Sequence, residues 1–133
     1  MNKIQKTRHA TYLINYHIVW IPKYRRKILT GEIARATEEI LWTIAQDREW
    51  NILALEIMPD HIHLFVSVPP KYAPADVVKV FKGWSARYLL KQFPDLAKKS
   101  GRGTLWAPSY YIGTAGTVSS ETIRRYIEEC QDR

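Results

Sequence analysis

The sequence predicts an α+β chain of the ferredoxin-like class, a βαββαβ antiparallel sheet with one additional C-terminal helix. Three observations carry this expectation. Stretches rich in β-branched and aromatic residues alternate with amphipathic stretches in the order strand, helix, strand, strand, helix, strand, helix. The second and third strands are separated only by Pro59-Asp60, a connection so short that they must run antiparallel. The chain has 133 residues, enough for one domain spanning 1–133 and too few for a second core.

The elements follow in order. Thr11 to Ile21 reads as the first strand, with Tyr12, Ile14, Tyr16, Ile18 and Trp20 on one face and Asn15 and His17 on the other. A basic exit, Pro22 to Lys27, holds Lys23, Arg25, Arg26 and Lys27. Glu32 to Trp50 is an amphipathic helix whose stripe is Ile33, Ile40, Leu41 and Ile44. Asn51–Met58 and His61–Val68 form the hairpin. Pro74 opens the second helix, with Val77, Phe81, Trp84 and Tyr88 at core-facing spacing. A polar loop with Lys98, Lys99 and Arg102 precedes a fourth strand, Leu105 to Thr114, which Pro108 confines to an edge or a bulge. Gly113 and Gly116 mark a turn, and Ser119 or Ser120 caps a last helix over about 119–131. The same sheet underlies RNA-recognition (RRM-like) modules, so fold alone leaves function open.

Charge narrows the classes. A formal net charge of +7 and a pI near 9.6 point to an anionic partner, nucleic acid first, because neutralising phosphates with Lys and Arg releases counterions. The single cysteine, Cys130, excludes an internal disulfide and suits a reducing cytoplasm. The first apolar run contains Asn15 and His17 and falls well short of the roughly 20 residues a membrane helix needs. A soluble cytoplasmic protein without a membrane partner is expected.

The densest chemistry lies in Glu56-Ile-Met-Pro-Asp-His-Ile-His63. Residues two apart on a strand share a face, so His61 and His63 point one way and Ile62, Leu64, Val66 and Val68 the other, into the core. If Pro59-Asp60 is a two-residue loop, Met58 pairs with His61 and Glu56 lies opposite His63. Cross-strand partners have Cβ atoms about 5 Å apart, so Glu56, His61 and His63 converge, and His17 on the neighbouring first strand reaches the same place. Two imidazoles and a carboxylate suit Mg²⁺ or Mn²⁺ with open positions for phosphate oxygens. A bare His-x-His beside a turn is more often a pair of surface histidines; the opposed carboxylate and the third histidine distinguish this one. Asp60 is either a supporting residue that orients an imidazole or simply a good turn former.

A metal-gripped phosphate needs an attacking group. Cys130 is poorly suited to phosphoryl chemistry, and Ser119 and Ser120 are explained as caps. Tyr126 follows Arg124 and Arg125 on the last helix, beside the apolar Ile123 and Ile127. Such a tyrosine also suits the rim of a core. As a nucleophile it needs assistance, because forming phenolate at neutral pH costs about 4 kcal/mol.

Four blocks together resemble a known family: Tyr16-His-Ile-Val-Trp-Ile-Pro-Lys-Tyr-Arg-Arg-Lys27, Met58-Pro-Asp-His-Ile-His-Leu64, Tyr110-Tyr-Ile-Gly-Thr114 and Arg125-Tyr-Ile-Glu128. They look like the single-tyrosine transposases of the insertion sequence 200/605 class, HUH nucleases named for two histidines around a hydrophobic residue, here His61, Ile62 and His63. The resemblance implies cleavage and rejoining of single-stranded DNA at element ends through a 5′-phosphotyrosine on Tyr126. It implies a substrate with hairpins near those ends, and a homodimer whose merged sheets and exchanged C-terminal helices make shared active sites. One departure stands out. The family commonly carries glutamine or asparagine four residues after the tyrosine as a further metal ligand, and here that position is Cys130. Gln131 lies about 140° around an ideal helix from Tyr126, so Glu129 takes the role, the helix end distorts to bring in Gln131, or Glu56 makes both unnecessary. Glu56 is the favoured choice.

Among the tryptophans, Trp42 and Trp84 read as core and Trp106 as the one nearest DNA. Lys23, Arg25, Arg26, Lys79, Lys82, Lys98, Lys99, Arg102, Arg124 and Arg125 are candidate phosphate contacts. Three rival readings remain: a non-catalytic single-stranded nucleic-acid-binding module, a domesticated HUH nuclease acting on chromosomal hairpin repeats, and a metal-dependent hydrolase using water.

Overall fold

The computed structural model describes residues 5–6, 11–12, 14–100 and 104–114. The expected helix over 119–131 lies outside them, with Tyr126, Glu129, Cys130, Gln131, Arg124 and Arg125; so does Arg102. Two short strands, β1 (Gln5–Lys6) and β2 (Thr11–Tyr12), pair antiparallel as a separate ribbon. The main sheet comprises β3 (Asn15–Trp20), β4 (Asn51–Met58), β5 (His61–Ser67) and β6 (Tyr111–Thr114). A 3₁₀ turn at Lys23–Arg25 and helix α1 (Gly31–Asp47) follow β3, and α2 (Pro74–Gln92) and the short α3 (Leu96–Ser100) precede β6. The sheet order is β4-β5-β3-β6, antiparallel throughout. This is the predicted α+β, ferredoxin-like arrangement.

One face of the sheet and the two long helices enclose the core. Ile18 and Trp20 of β3 and Ile62, Leu64 and Val66 of β5 meet Leu41 and Ile44 of α1 and Val77 and Phe81 of α2. Each such side chain contributes about 1.5–3 kcal/mol when fully withdrawn from water. Alternation along β3 and β5 therefore sends His17, His61, His63 and Phe65 to the opposite face. Thr37, buried in the α1 stripe, satisfies its hydroxyl by donating to the Ile33 carbonyl at 2.7 Å.

Three element boundaries change. The first strand does not run unbroken from Thr11 to Ile21: sheet pairing starts at Asn15↔Ser67, because the partner strand ends there, before Pro69 and Pro70, which offer no N–H to a ladder. Helix α1 stops at Asp47 rather than Trp50. Glu49 adopts φ 58°, its N–H bonds the Gln46 carbonyl, and the Trp50 N–H reaches back to Ala45 at 2.9 Å. That is a Schellman closure, and it turns Trp50 into the core. The fourth strand begins only at Tyr111. Residues 105–107 run beside the end of β3, with a Pro22↔Trp106 bridge and Ala107 N–H donating to Ile21 at 2.9 Å, but Pro108 interrupts the ladder. As expected, β6 is an edge strand.

The α2 stripe is Val77, Phe81, Ser85 and Leu89, an i+4 row that leaves Tyr88 exposed and Trp84 on its flank. Ser85 holds the inner seat because it is small and polar: Trp106 packs over it and donates Nε1–H to its Oγ at 3.0 Å. Trp106 is thus a core residue rather than a DNA-facing one, and it meets Trp20 edge-on at 5.9 Å. Trp42 is 47% exposed, since it lies a full 100° step around α1 from buried Leu41.

Candidate active site

The hairpin fixes the geometry. Pro59-Asp60 is a two-residue turn, and the register pairs Met58 with His61, Ile57 with Ile62 and Glu56 with His63, as the loop length predicts. On the other side of β5, Val19 pairs with His63 and His17 with Phe65. His17 and His63 are therefore diagonal neighbours on one face, and their rings meet: His17 Nε2 lies 3.2 Å from His63 Nδ1. The His61 and His63 rings stand edge to face at 4.8 Å between centroids.

Each histidine of the pair is held by its Nδ1. His61 donates Nδ1–H to Asp60 Oδ1 at 2.8 Å, and Arg25 Nε approaches the other carboxylate oxygen at 3.4 Å. Asp60 is thus both turn former and imidazole partner, which joins the two readings left open in the sequence. His63 is braced by His17, which is 3% exposed, stacked on Phe65 at 4.1 Å and met edge-on by Tyr111. Burial pushes the His17 pKa down to about 4, helped by the neighbouring His63. His63 is also lowered, by burial first and then by His61, while the Glu56 carboxylate pulls it back up. Both effects favour neutral imidazoles, the form that ligates a metal.

Glu56 is on the exposed edge strand. Among the described residues, no group of three or more His, Cys, Asp or Glu is close enough set to hold a metal ion. The structure thus brings His17, His61, His63 and Asp60 into contact and places Glu56 opposite His63 by register.

The basic residues separate into distinct roles. Lys23, Arg25 and Arg26 surround the 3₁₀ turn, where Arg25 is committed to Asp60. Lys98 is exposed on α3 and Lys99 lies in the same helix. Lys79 is exposed, but Lys82 is not a free cation: its Nζ donates to the Ala107 and Ser109 carbonyls at 2.7 and 3.2 Å, and burial holds its pKa down to about 8. Sequence reasoning missed the link from Arg25 to Asp60 and the clamp made by Lys82. Arg25 sits in a run of cations and Lys82 one turn from Lys79 on α2, with nothing in the local spacing to set either apart.

Known proteins resemble the chain along most of its length. Residues 10–130 match the family described as IS200-like transposases. The chain is 39% identical over 131 residues to the ISDra2 transposase TnpA of Deinococcus radiodurans, covering 98% of this chain and 94% of that one. It is 36% identical over 120 residues to the transposase for insertion sequence element IS200 of Salmonella typhimurium, covering 90% and 78%. A crystal structure from Deinococcus radiodurans R1, assigned as a transposase, superposes with a TM-score of 0.83 at 39% identity over 95% of this chain and 97% of that one. A REP-associated tyrosine transposase bound to a REP hairpin shares the fold, with a TM-score of 0.55 at 13% identity over 95% and 69%. Among the described residues no helix is long and apolar enough to cross a membrane. A match that runs nearly end to end, over a hairpin that presents two braced histidines, establishes that this chain belongs to the IS200-like transposase family.

Proposed function

We propose that this transposase cuts and rejoins single-stranded DNA at the ends of its element by two transesterifications through Tyr126. The carrying observation is the pair of histidines on one strand, each held at Nδ1 by a protein partner. That arrangement leaves Nε2 of both rings as the coordinating atom, and with a carboxylate and phosphate oxygens the set would suit Mg²⁺ or Mn²⁺. For His63 to ligate through Nε2 it must carry its proton on Nδ1 and donate to His17 Nε2, a role that neutral, buried His17 accepts. His61 and His63 would hold the ion, and Glu56, opposite His63 in the register, would have to close on it to complete the set, with Gln131 or Glu129 as the further candidates. When bound, the ion supplies charge neutralisation at the scissile phosphate and lowers the cost of forming phenolate.

In the first step the Tyr126 oxygen attacks phosphorus as its proton departs. The bond from phosphorus to the 3′ oxygen breaks, and that oxygen takes up a proton. The products are a 5′-phosphotyrosine and a free 3′-hydroxyl. In the second step a 3′-hydroxyl attacks the same phosphorus and Tyr126 leaves. Because one phosphodiester is exchanged for another, no ATP is needed. The hairpin bound by the structural relative supports a single-stranded substrate carrying hairpins near the element ends. Cytoplasmic action as a homodimer with exchanged C-terminal helices completes the reading.

A covalent-trapping gel tests it. Labelled single-stranded DNA spanning the element's ends, incubated with Mn²⁺, is expected to give an SDS-resistant protein–DNA band that disappears with EDTA or in Tyr126→Phe. Tight binding with no such band would leave a non-catalytic binder. Mixing His63→Ala with Tyr126→Phe on the same gel probes the exchange, since only sites shared between subunits regain the band.

A further inference from the structure

We propose that Tyr24 is a stacking platform for an unpaired base beside the scissile phosphate. This rests on the single-stranded DNA reading above and adds a residue to it.

The turn after β3 departs from ordinary backbone geometry. Tyr24 and Arg25 adopt φ 60° and 51° in succession, the left-handed region that a non-glycine residue enters only at a cost. Glycine would adopt it freely. Two successive side chains there are the kind of outlier that points to function. The consequence is that the two side chains diverge. Arg25 turns inward to Asp60, with its side chain 28% exposed, while Tyr24 is 51% exposed.

The ring's surroundings indicate what it takes. The Lys23 ammonium and the Arg26 guanidinium lie 5.6 and 5.8 Å from its centroid. A half-exposed aromatic ring with two cations set over it matches a strand whose bases are unstacked and whose phosphates follow one another closely, an incoming base displacing the cations onto the flanking phosphates. Duplex DNA hides its base faces within the stack, so the partner is single-stranded. The position along that strand follows from how the turn is tied down. Arg25 holds Asp60, which holds His61, and Leu29 N–H donates to the Pro59 carbonyl at 3.0 Å. Both ends of the segment are thus fastened to the tip of the hairpin that bears the histidines. A base on Tyr24 would thus be carried by a segment tethered to that tip, one residue from the Arg25 anchor.

The experiment uses the full chain, with EDTA present to stop cleavage, and fluorescent oligo(dT) containing iodouracil as probe. Tyr24→Phe should bind as the wild type does. Tyr24→Ala and Tyr24→Gly should bind roughly 5- to 150-fold more weakly, as expected for loss of one stacked base. Tyr24→Gly should meanwhile keep or raise the melting temperature, because glycine relieves the left-handed strain. Irradiation should crosslink the probe to Tyr24, located by mass spectrometry. Wild-type affinity in the alanine and glycine variants, a crosslink mapping elsewhere, or weaker binding accompanied by a lowered melting temperature would each overturn the proposal. If the wild type still forms the covalent band in that case, the cleavage reading stands without the platform. A Tyr24 crosslink in a protein that never forms the band keeps the platform and removes the cleavage reading.

Discussion

At the scale of single residues, Asp60 has the widest reach. It closes the turn, accepts from His61 and receives Arg25. Loss of such a partner of a metal-ligating histidine costs about 10- to 100-fold in metal affinity. Asp60→Asn keeps the turn and an acceptor but loses the charge, so it should need about 10-fold more Mn²⁺ for half-maximal cleavage, and Asp60→Ala about 100-fold. A metal titration of cleavage reads this directly; an unchanged requirement would reduce Asp60 to a turn former. Glu56 against His63 was legible beforehand because a two-residue loop leaves only one register. The tyrosine–arginine pair in the left-handed region was not. Pro22 to Lys27 reads as any basic loop, and backbone dihedrals of this kind are imposed by the contacts at either end.

The four strands of the main sheet and the two long helices were read correctly in type and order, with misreadings at their ends, whereas the β1–β2 ribbon and α3, read as a polar loop, were missed. Helix α1 overran in the sequence because Arg48, Glu49 and Trp50 all tolerate helix, and no glycine marks the stop. The chain ends it with Glu49 at φ 58°, a position where glycine is the usual occupant. Glu49→Gly should therefore stabilise the protein by about 0.5–1 kcal/mol, measured by urea unfolding; destabilisation would mean that the Glu49 side chain contributes more than its backbone costs. The tryptophans were harder. Helical spacing places Trp84 and Tyr88 on an apolar stripe as readily as Ser85 and Leu89. The choice belongs to Trp106, which needs a small hydroxyl-bearing neighbour for its indole N–H.

For the molecule as a whole, Lys82 fastens the segment after α3 to α2 and so holds β6 at the edge of the sheet. Its ammonium loses its proton near pH 8 in the folded chain, against 10.5 for an ordinary lysine. Below 8 both states carry the charge, and the folded one bears the whole penalty of burying it. Between about 8 and 10.5 the unfolded chain binds the extra proton, so stability rises with pH. Wild type should gain on Lys82→Met across that window in paired denaturation curves; parallel curves would show that the amine is better solvated than its burial implies. The two-residue hairpin carries a different consequence, for how copies of such an element decay. Two codons inserted in frame between Ile57 and Met58 would preserve the inward and outward alternation of the strand, and with it the packed core. They would also slide Glu56 past His63. On the proposed reading, in which Glu56 helps to hold the ion, a lineage would then inherit a chain that folds and accumulates while its element no longer moves.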